Sequence, residues 1–253
     1  MSDNGTYENK SIEKLRKIIN TDTTNYVAQY ILAEKLIKSK NGNIQENQQE
    51  AFKLLNIVIK NNKEYLPAWH LLGYCYEKGF GIEQNIEEAI KCYVVASKIN
   101  DYDTENGYAP SQYKIARICE DGKYGFEKDE NLAYELYYLS AKNEYLRSRY
   151  RLALCYEKGI GISKDIIKSK YILEELLKSG YNKAQHSLRK VNNKIEKSKK
   201  KFFEELKKPK KEPTISEKRK KKNKLSCQLQ NILQVNKTPD FEDVGFVCPD
   251  SPR

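Results

Sequence analysis

The chain has 253 residues, 39% of them apolar, enough for one or two domains with a real core. Its charge of +11 is local: residues 1–188 hold 27 basic and 26 acidic side chains, residues 189–225 hold 17 and 5, and the last 28 are net −2. Two histidines speak against a multi-histidine metal site or histidine catalysis, and no apolar run approaches the ~18 residues that span a bilayer. The first 25 residues carry no signal-peptide core, so a soluble, non-secreted chain is expected, cytoplasmic or nuclear.

Residues 1–25 read as a flank with a short helix. From 26 to 181 a pattern of about 40 residues recurs four times. The first copy, opening at Ala28-Gln-Tyr-Ile-Leu-Ala33, is the weakest. The second (Ala68 to Gly81) and the fourth (Ser148 to Gly161) share Cys-Tyr-Glu-Lys-Gly-x-Gly-Ile at a separation of 80 residues. The third, Ser111 to Gly125, has one extra loop residue. Successive copies are offset by 40, 43 and 37 residues.

Each copy predicts a helix pair. Ala68, Leu72 and Tyr76 lie at i, i+4 and i+8 on one face of the first helix. Gly73, Ala116 and Ala153 share a slot in which a small side chain admits a neighbouring helix. Gly79 and Gly159 suit the left-handed stop of that helix. Asn85, Asp129 and Asp165 stand where a side-chain oxygen caps the second helix. In that helix Ala89, Tyr93 and Ala96 match Ala133, Tyr137 and Ser140, whereas the fourth copy has Ser169, Leu173 and Leu176. A single pair cannot bury its apolar stripe, but stacked pairs can, which predicts an all-α solenoid.

Residues 182–206 read as a closing helix, with Ala184, Leu188, Val191, Ile195 and Phe202 in a rough heptad. Beyond them, 207–253 reads as a disordered tail, first basic and then acidic. Its basic runs are Lys207, Lys208, Lys210, Lys211 and then Lys218, Arg219, Lys220, Lys221, Lys222, split by Pro209, Pro213 and a glutamate spacer. Such runs suit an import receptor, an anionic lipid surface or RNA, and equally a merely solvated tail. Thr238-Pro239 and Ser251-Pro252 look like proline-directed phosphorylation sites.

The order Ala-x-x-x-Leu-Gly-x-x-Tyr-x-x-Gly-x-Gly-Ile, then Asp and Ala-x-x-x-Tyr-x-x-Ala, resembles the SEL-one-like repeat, a relative of the tetratricopeptide repeat. Residues 67–98 carry it best. The resemblance implies a right-handed α-superhelix of about four repeats, serving as an adaptor that binds another protein. A sharper alternative is kinship with fungal chitin-synthase activators, regulators of a membrane enzyme, with recruitment by the basic tail. A hydrolase or ligand-binding protein acting on cell-wall material is the second alternative. Bacterial relatives of that kind carry export signals and paired cysteines, which this sequence lacks.

No residue pattern demands a cofactor, a metal or a small-molecule substrate. The Gly79-x-Gly81 pair lacks the third glycine of a dinucleotide loop and joins helix to helix, so it reads as structural. Cys75, Cys92, Cys119, Cys155, Cys227 and Cys248 form no CxxC pair, which predicts reduced thiols. The recurring Glu77, Glu120 and Glu157 read as helix-end structure and not as catalytic acids. Partner-binding candidates are Tyr30, His70, Tyr113 and Tyr150, the third residue of each copy, with Tyr74 and Arg117 one turn later. Packing between helices is the competing reading for that aromatic slot.

Overall fold

A computed structural model describes residues 7–99 and 107–207, and its regular structure is helical throughout. Ten helices of ten or more residues follow in order: α1 (Ile12–Thr21), α2 (Tyr26–Lys38), α3 (Ile44–Asn61), α4 (Leu66–Lys78), α5 (Ile86–Ser97), α6 (Ala109–Asp121), α7 (Glu130–Lys142), α8 (Leu146–Lys158), α9 (Ile166–Lys178) and α10 (Ala184–Lys207). They fall into two compact units, one up to Tyr145 and one from Leu146 onward. Lys208 and every later basic-tail residue, with the proline-directed sites, Cys227 and Cys248, lie outside the described residues.

The expected helix signals act where they stand. Asn85, Asp129 and Asp165 each accept a hydrogen bond from backbone amides two or three residues on, opening α5, α7 and α9. Asn25 and Asn43 do the same for α2 and α3. Pro67 and Pro110 sit in the first turns of α4 and α6, where a missing N–H costs nothing. Gly79 closes α4 at φ +72, its amide bonded to the Cys75 carbonyl. The amide of each second-helix cap then returns to the end of the first helix: Asn85 to Tyr76 at 2.9 Å, Asp129 to Cys119 at 2.9 Å, Asp165 to Tyr156 at 2.8 Å. This bond turns a helix, a loop and a helix into one rigid pair.

In the first unit the pairs are α2–α3, α4–α5 and α6–α7, with α3 against α4 and α5 against α6. Gly73 lies directly under Tyr93; a Cβ there would sit 2.8 Å from the Tyr93 ring and 3.0 Å from the Ala89 carbonyl. Gly81 approaches the preceding pair even more closely. A Cβ on it would fall 2.3 Å from the Gln48 carbonyl oxygen of α3, and its φ is +74. The second glycine of the loop is therefore a contact point between consecutive pairs. In the second unit α9 packs on both α8 and α10. Its Ile172, Leu173 and Leu176 are buried, so the larger side chains of the fourth copy fill this core.

Cys75, Cys92, Cys119 and Cys155 are buried free thiols. Burial pushes Cys75 and Cys92 up to about 12, so both stay protonated near neutral pH. They behave as small apolar residues in the helix interfaces.

Candidate partner-binding face

The aromatic third residue of each copy meets a tyrosine just ahead of the helix that follows the copy. Tyr30 lies 5.2 Å from Tyr65, His70 5.2 Å from Tyr108, Tyr113 5.5 Å from Tyr145, and Tyr150 5.8 Å from Tyr181, centroid to centroid. The first three contacts are edge-on and the fourth is tilted, geometries that favour aromatic pairs. A polar bond accompanies some of them. The hydroxyls of Tyr30 and Tyr108 are hydrogen-bonded, His70 Nδ1 lies 2.8 Å from Ser111 Oγ, and Tyr150 Oη lies 2.8 Å from Ser187 Oγ. The structure thus places Tyr30 and His70 in the joints between successive copies of the first unit, packs Tyr113 against Tyr145 at the end of that unit, and packs Tyr150 against Tyr181 ahead of α10 in the second.

Sequence reasoning missed Tyr65, Tyr108, Tyr145 and Tyr181. Each stands three residues before the small residue that opens a copy or the closing helix (Ala68, Ser111, Ser148, Ala184), a phase that was available to find them.

His70 also rests against the Tyr93 ring at 5.2 Å. Burial, with the Lys114 charge adding to it, brings the imidazole down to about 4, so it is neutral at pH 7. Tyr30, which is 8% exposed, has its hydroxyl pushed far up by burial and stays protonated.

The recurring glutamate is a second joint. Glu77 accepts from the Tyr93 hydroxyl of its own pair at 2.7 Å and from Lys114 of the next copy's first helix at 2.7 Å. Glu120 accepts from Tyr137 at 2.6 Å. Glu157, buried and lacking a tyrosine at that slot, pairs with Lys194 of α10. Lys114 and Lys194 each stand 37 residues after their glutamate. Burial opposes the charge on Glu77, but hydrogen bonds from Lys114, Tyr93 and Lys78 outweigh it and hold the carboxyl at about 2. Its contribution to stability is present above about 4.5 and is lost as pH falls through 2. A double-mutant cycle of Glu77→Ala and Lys114→Ala by urea unfolding is expected to give a coupling near 1 kcal/mol. A coupling of zero would make the contact incidental.

The residues one turn later in the first helices are arranged differently. Tyr74 contacts Phe80 edge-on at 5.6 Å, and the Lys78 ammonium stands 6.0 Å from the Tyr74 ring centre. Arg117 bonds Asp121 at 3.2 Å, and Lys123 bonds the same carboxylate oxygen at 2.7 Å. In the third copy's loop Tyr124 is 58% exposed and Phe126 39%. Tyr124 is held at φ +58, an uncommon backbone state for a bulky residue. Lys78 interacts electrostatically with Tyr124 as well as with Tyr74, which draws the loop ends of α4 and α6 together within the first unit. Among the described residues no three His, Cys, Asp or Glu side chains gather as a metal site would require.

The model of the Sel1 repeat matches residues 27–57, 68–101, 109–145 and 146–181, more than half of the chain. The chain belongs to the Sel1 repeat family. The four matched Sel1 repeats coincide with the helix pairs α2–α3, α4–α5, α6–α7 and α8–α9. A Sel1 repeat protein from Oxalobacter formigenes has the same fold, with a TM-score of 0.56, 24% identity, and 70% of this chain and 68% of that one covered. A protective antigen of uropathogenic Escherichia coli with an SLR fold gives a TM-score of 0.55 and 18% identity over 68% of this chain and 34% of its own.

Among curated proteins, chitin synthase regulatory factor 2 of Schizosaccharomyces pombe is 26% identical over 147 residues, 56% of this chain and 27% of its own. The chitin synthase regulator SKT5 of Malassezia restricta is 27% identical over 113 residues, 44% of this chain and 8% of its own. The chain therefore spans about a quarter or less of the length of these relatives. No helix among the described residues is long and apolar enough to cross a membrane.

Proposed function

We propose that this chain is a non-enzymatic scaffold whose repeats hold a surface for another protein. The observation that carries the reading is the division of labour along the first helices. In the first unit the aromatic slot is taken up by ring contacts with Tyr65, Tyr108 and Tyr145, while the next turn presents Tyr74, Lys78 and Arg117 beside Phe80 and Tyr124. Aromatic and arginine side chains on a rigid support are what interface anchors consist of. Tyr74 and Arg117 are the contact residues in this reading; His70, packed against Tyr108 between their two copies, sets their spacing.

The test is quantitative affinity capture with three forms of the full chain: wild type, Tyr74→Ala/Arg117→Glu, and Lys53→Glu on the exposed face of α3 as a control. Partners retained by Lys53→Glu and lost, at unchanged melting temperature, from Tyr74→Ala/Arg117→Glu are the expected result. A partner set indifferent to both changes would overturn the assignment of the face. A chain that captures nothing reproducibly would overturn the scaffold reading.

A second reading is favoured by the relatives named as chitin synthase regulators: the partner is a chitin synthase or its assembly. In this reading, added protein raises chitin synthase activity in fungal membranes, and Tyr74→Ala/Arg117→Glu does not. Equal activity with and without the protein would remove it.

A further inference from the structure

α10 outruns its support. At 1.5 Å per residue its 24 residues span about 36 Å, while the 13 residues of α9 beside it span about 20 Å. Ala184, Ser187, Val191 and Ile195 are buried, and Lys194 reaches back to Glu157, so the first half of α10 is part of the fold. After Ile195 no side chain of α10 is buried. The apolar stripe nevertheless continues: Phe202 and Leu206 fall in line with Val191 and Ile195 on the helical period, and Phe203 flanks them. Phe203 is 56% exposed and Leu206 43%, and Phe202 and Phe203 pack edge-on at 5.9 Å.

Cations surround this stripe. Lys197, Lys199, Lys200, Lys201 and Lys207 lie around the same three turns against Glu204 and Glu205. The sequence from Lys197 to Lys222 holds thirteen basic residues and four acidic ones. A second copy would set two such segments of like charge against each other. A groove-bound helix repeats its apolar anchors over its whole length, whereas here three apolar side chains stand among lysines. Short apolar anchors with flanking lysines that extend along the surface suit the boundary of an anionic bilayer. There Phe and Leu enter the headgroup region and ammonium groups meet lipid phosphates.

We propose that the distal half of α10, Lys197–Lys207, is a membrane-surface element that docks on anionic lipid through Phe202, Phe203 and Leu206. The proposal does not depend on the protein-binding reading of the first unit, and its test uses no protein partner.

The full chain is floated with phosphatidylcholine vesicles containing none or about 30% phosphatidylserine. Binding to the anionic vesicles alone is expected. Phe203→Ser/Leu206→Ser should weaken it about tenfold at unchanged charge. Both positions are exposed, so folding is retained and circular dichroism checks it. A Phe203→Trp variant should show a blue-shifted emission on the anionic vesicles. Undiminished binding by the double serine variant would overturn the proposal, because the lysines alone would then account for the affinity. So would no binding to either vesicle, the result if an acidic protein occupies the stripe, and so would equal binding to both.

Discussion

Gly81→Ala is expected to destabilise the first unit by about 3 kcal/mol, a loss that equilibrium urea unfolding measures directly. Two costs add. An L-residue at φ +74 forgoes about 1 kcal/mol relative to glycine, and the new methyl would overlap the Gln48 carbonyl and its carbon, at 2.3 and 2.6 Å. Those atoms are backbone within α3, so relief requires moving a helix and not rotating a side chain. Gly79→Ala is the control. It shares the left-handed backbone but meets nothing closer than 3.5 Å, so it should lose only the conformational part. Equal losses for the two variants would mean that α3 gives way and the loop is not a tight inter-pair contact.

Acidification should weaken the first unit before its carboxylates protonate, and His70 is the cause. Buried neutral in the fold with the imidazole at about 4, it takes up a proton in the unfolded chain below 6.5. The unfolded state therefore binds more protons between those values, and stability falls as pH drops from 6.5 to 4. Below 4 this group costs nothing further. The full loss is on the order of 3 kcal/mol. The groups facing it are Ser111, Tyr93 and Tyr108, with Lys114 opposing its protonation and Glu77 favouring it. His70→Tyr installs the residue found at this slot in the other three copies and removes the titration. The melting temperature of the wild type minus that of the variant should fall steadily from pH 6.5 to pH 5. Parallel melting curves over that range would mean that the imidazole is solvated in the folded chain.

Much of the fold was legible because its signals are local. The caps Asn85, Asp129 and Asp165, the stop at Gly79 and the small slot at Gly73 each act within one turn or one pair, where spacing is enough. The stripe through Tyr30, His70, Tyr113 and Tyr150 was legible as a stripe, but spacing left partner binding and packing between helices as competing readings. A repeat helix is covered on one flank by its pair mate and on another by the next copy, and periodicity does not distinguish a covered flank from an open one. The deciding contacts come from Tyr65, Tyr108, Tyr145 and Tyr181, residues that precede the helices and carry no helical phase. Lys114 and Lys194 were hidden for another reason. In a chain so rich in lysine, any one of them reads as solvated surface until its carboxylate, 37 residues away, is placed beside it.

The pairing of Glu157 with Lys194 bears on where a truncation can be made. The family match ends at residue 181, yet the carboxylate buried at the end of the fourth copy's first helix finds its cation at Lys194 on α10, thirteen residues beyond the match. A chain cut at the end of the match would retain the acid and discard the base. An uncompensated buried charge of that kind costs several kcal/mol. The period of the sequence and the span that folds are thus out of register by half a helix. An expression boundary set by the repeat would fall inside a cooperative unit, and one set beyond Ile195 would respect it.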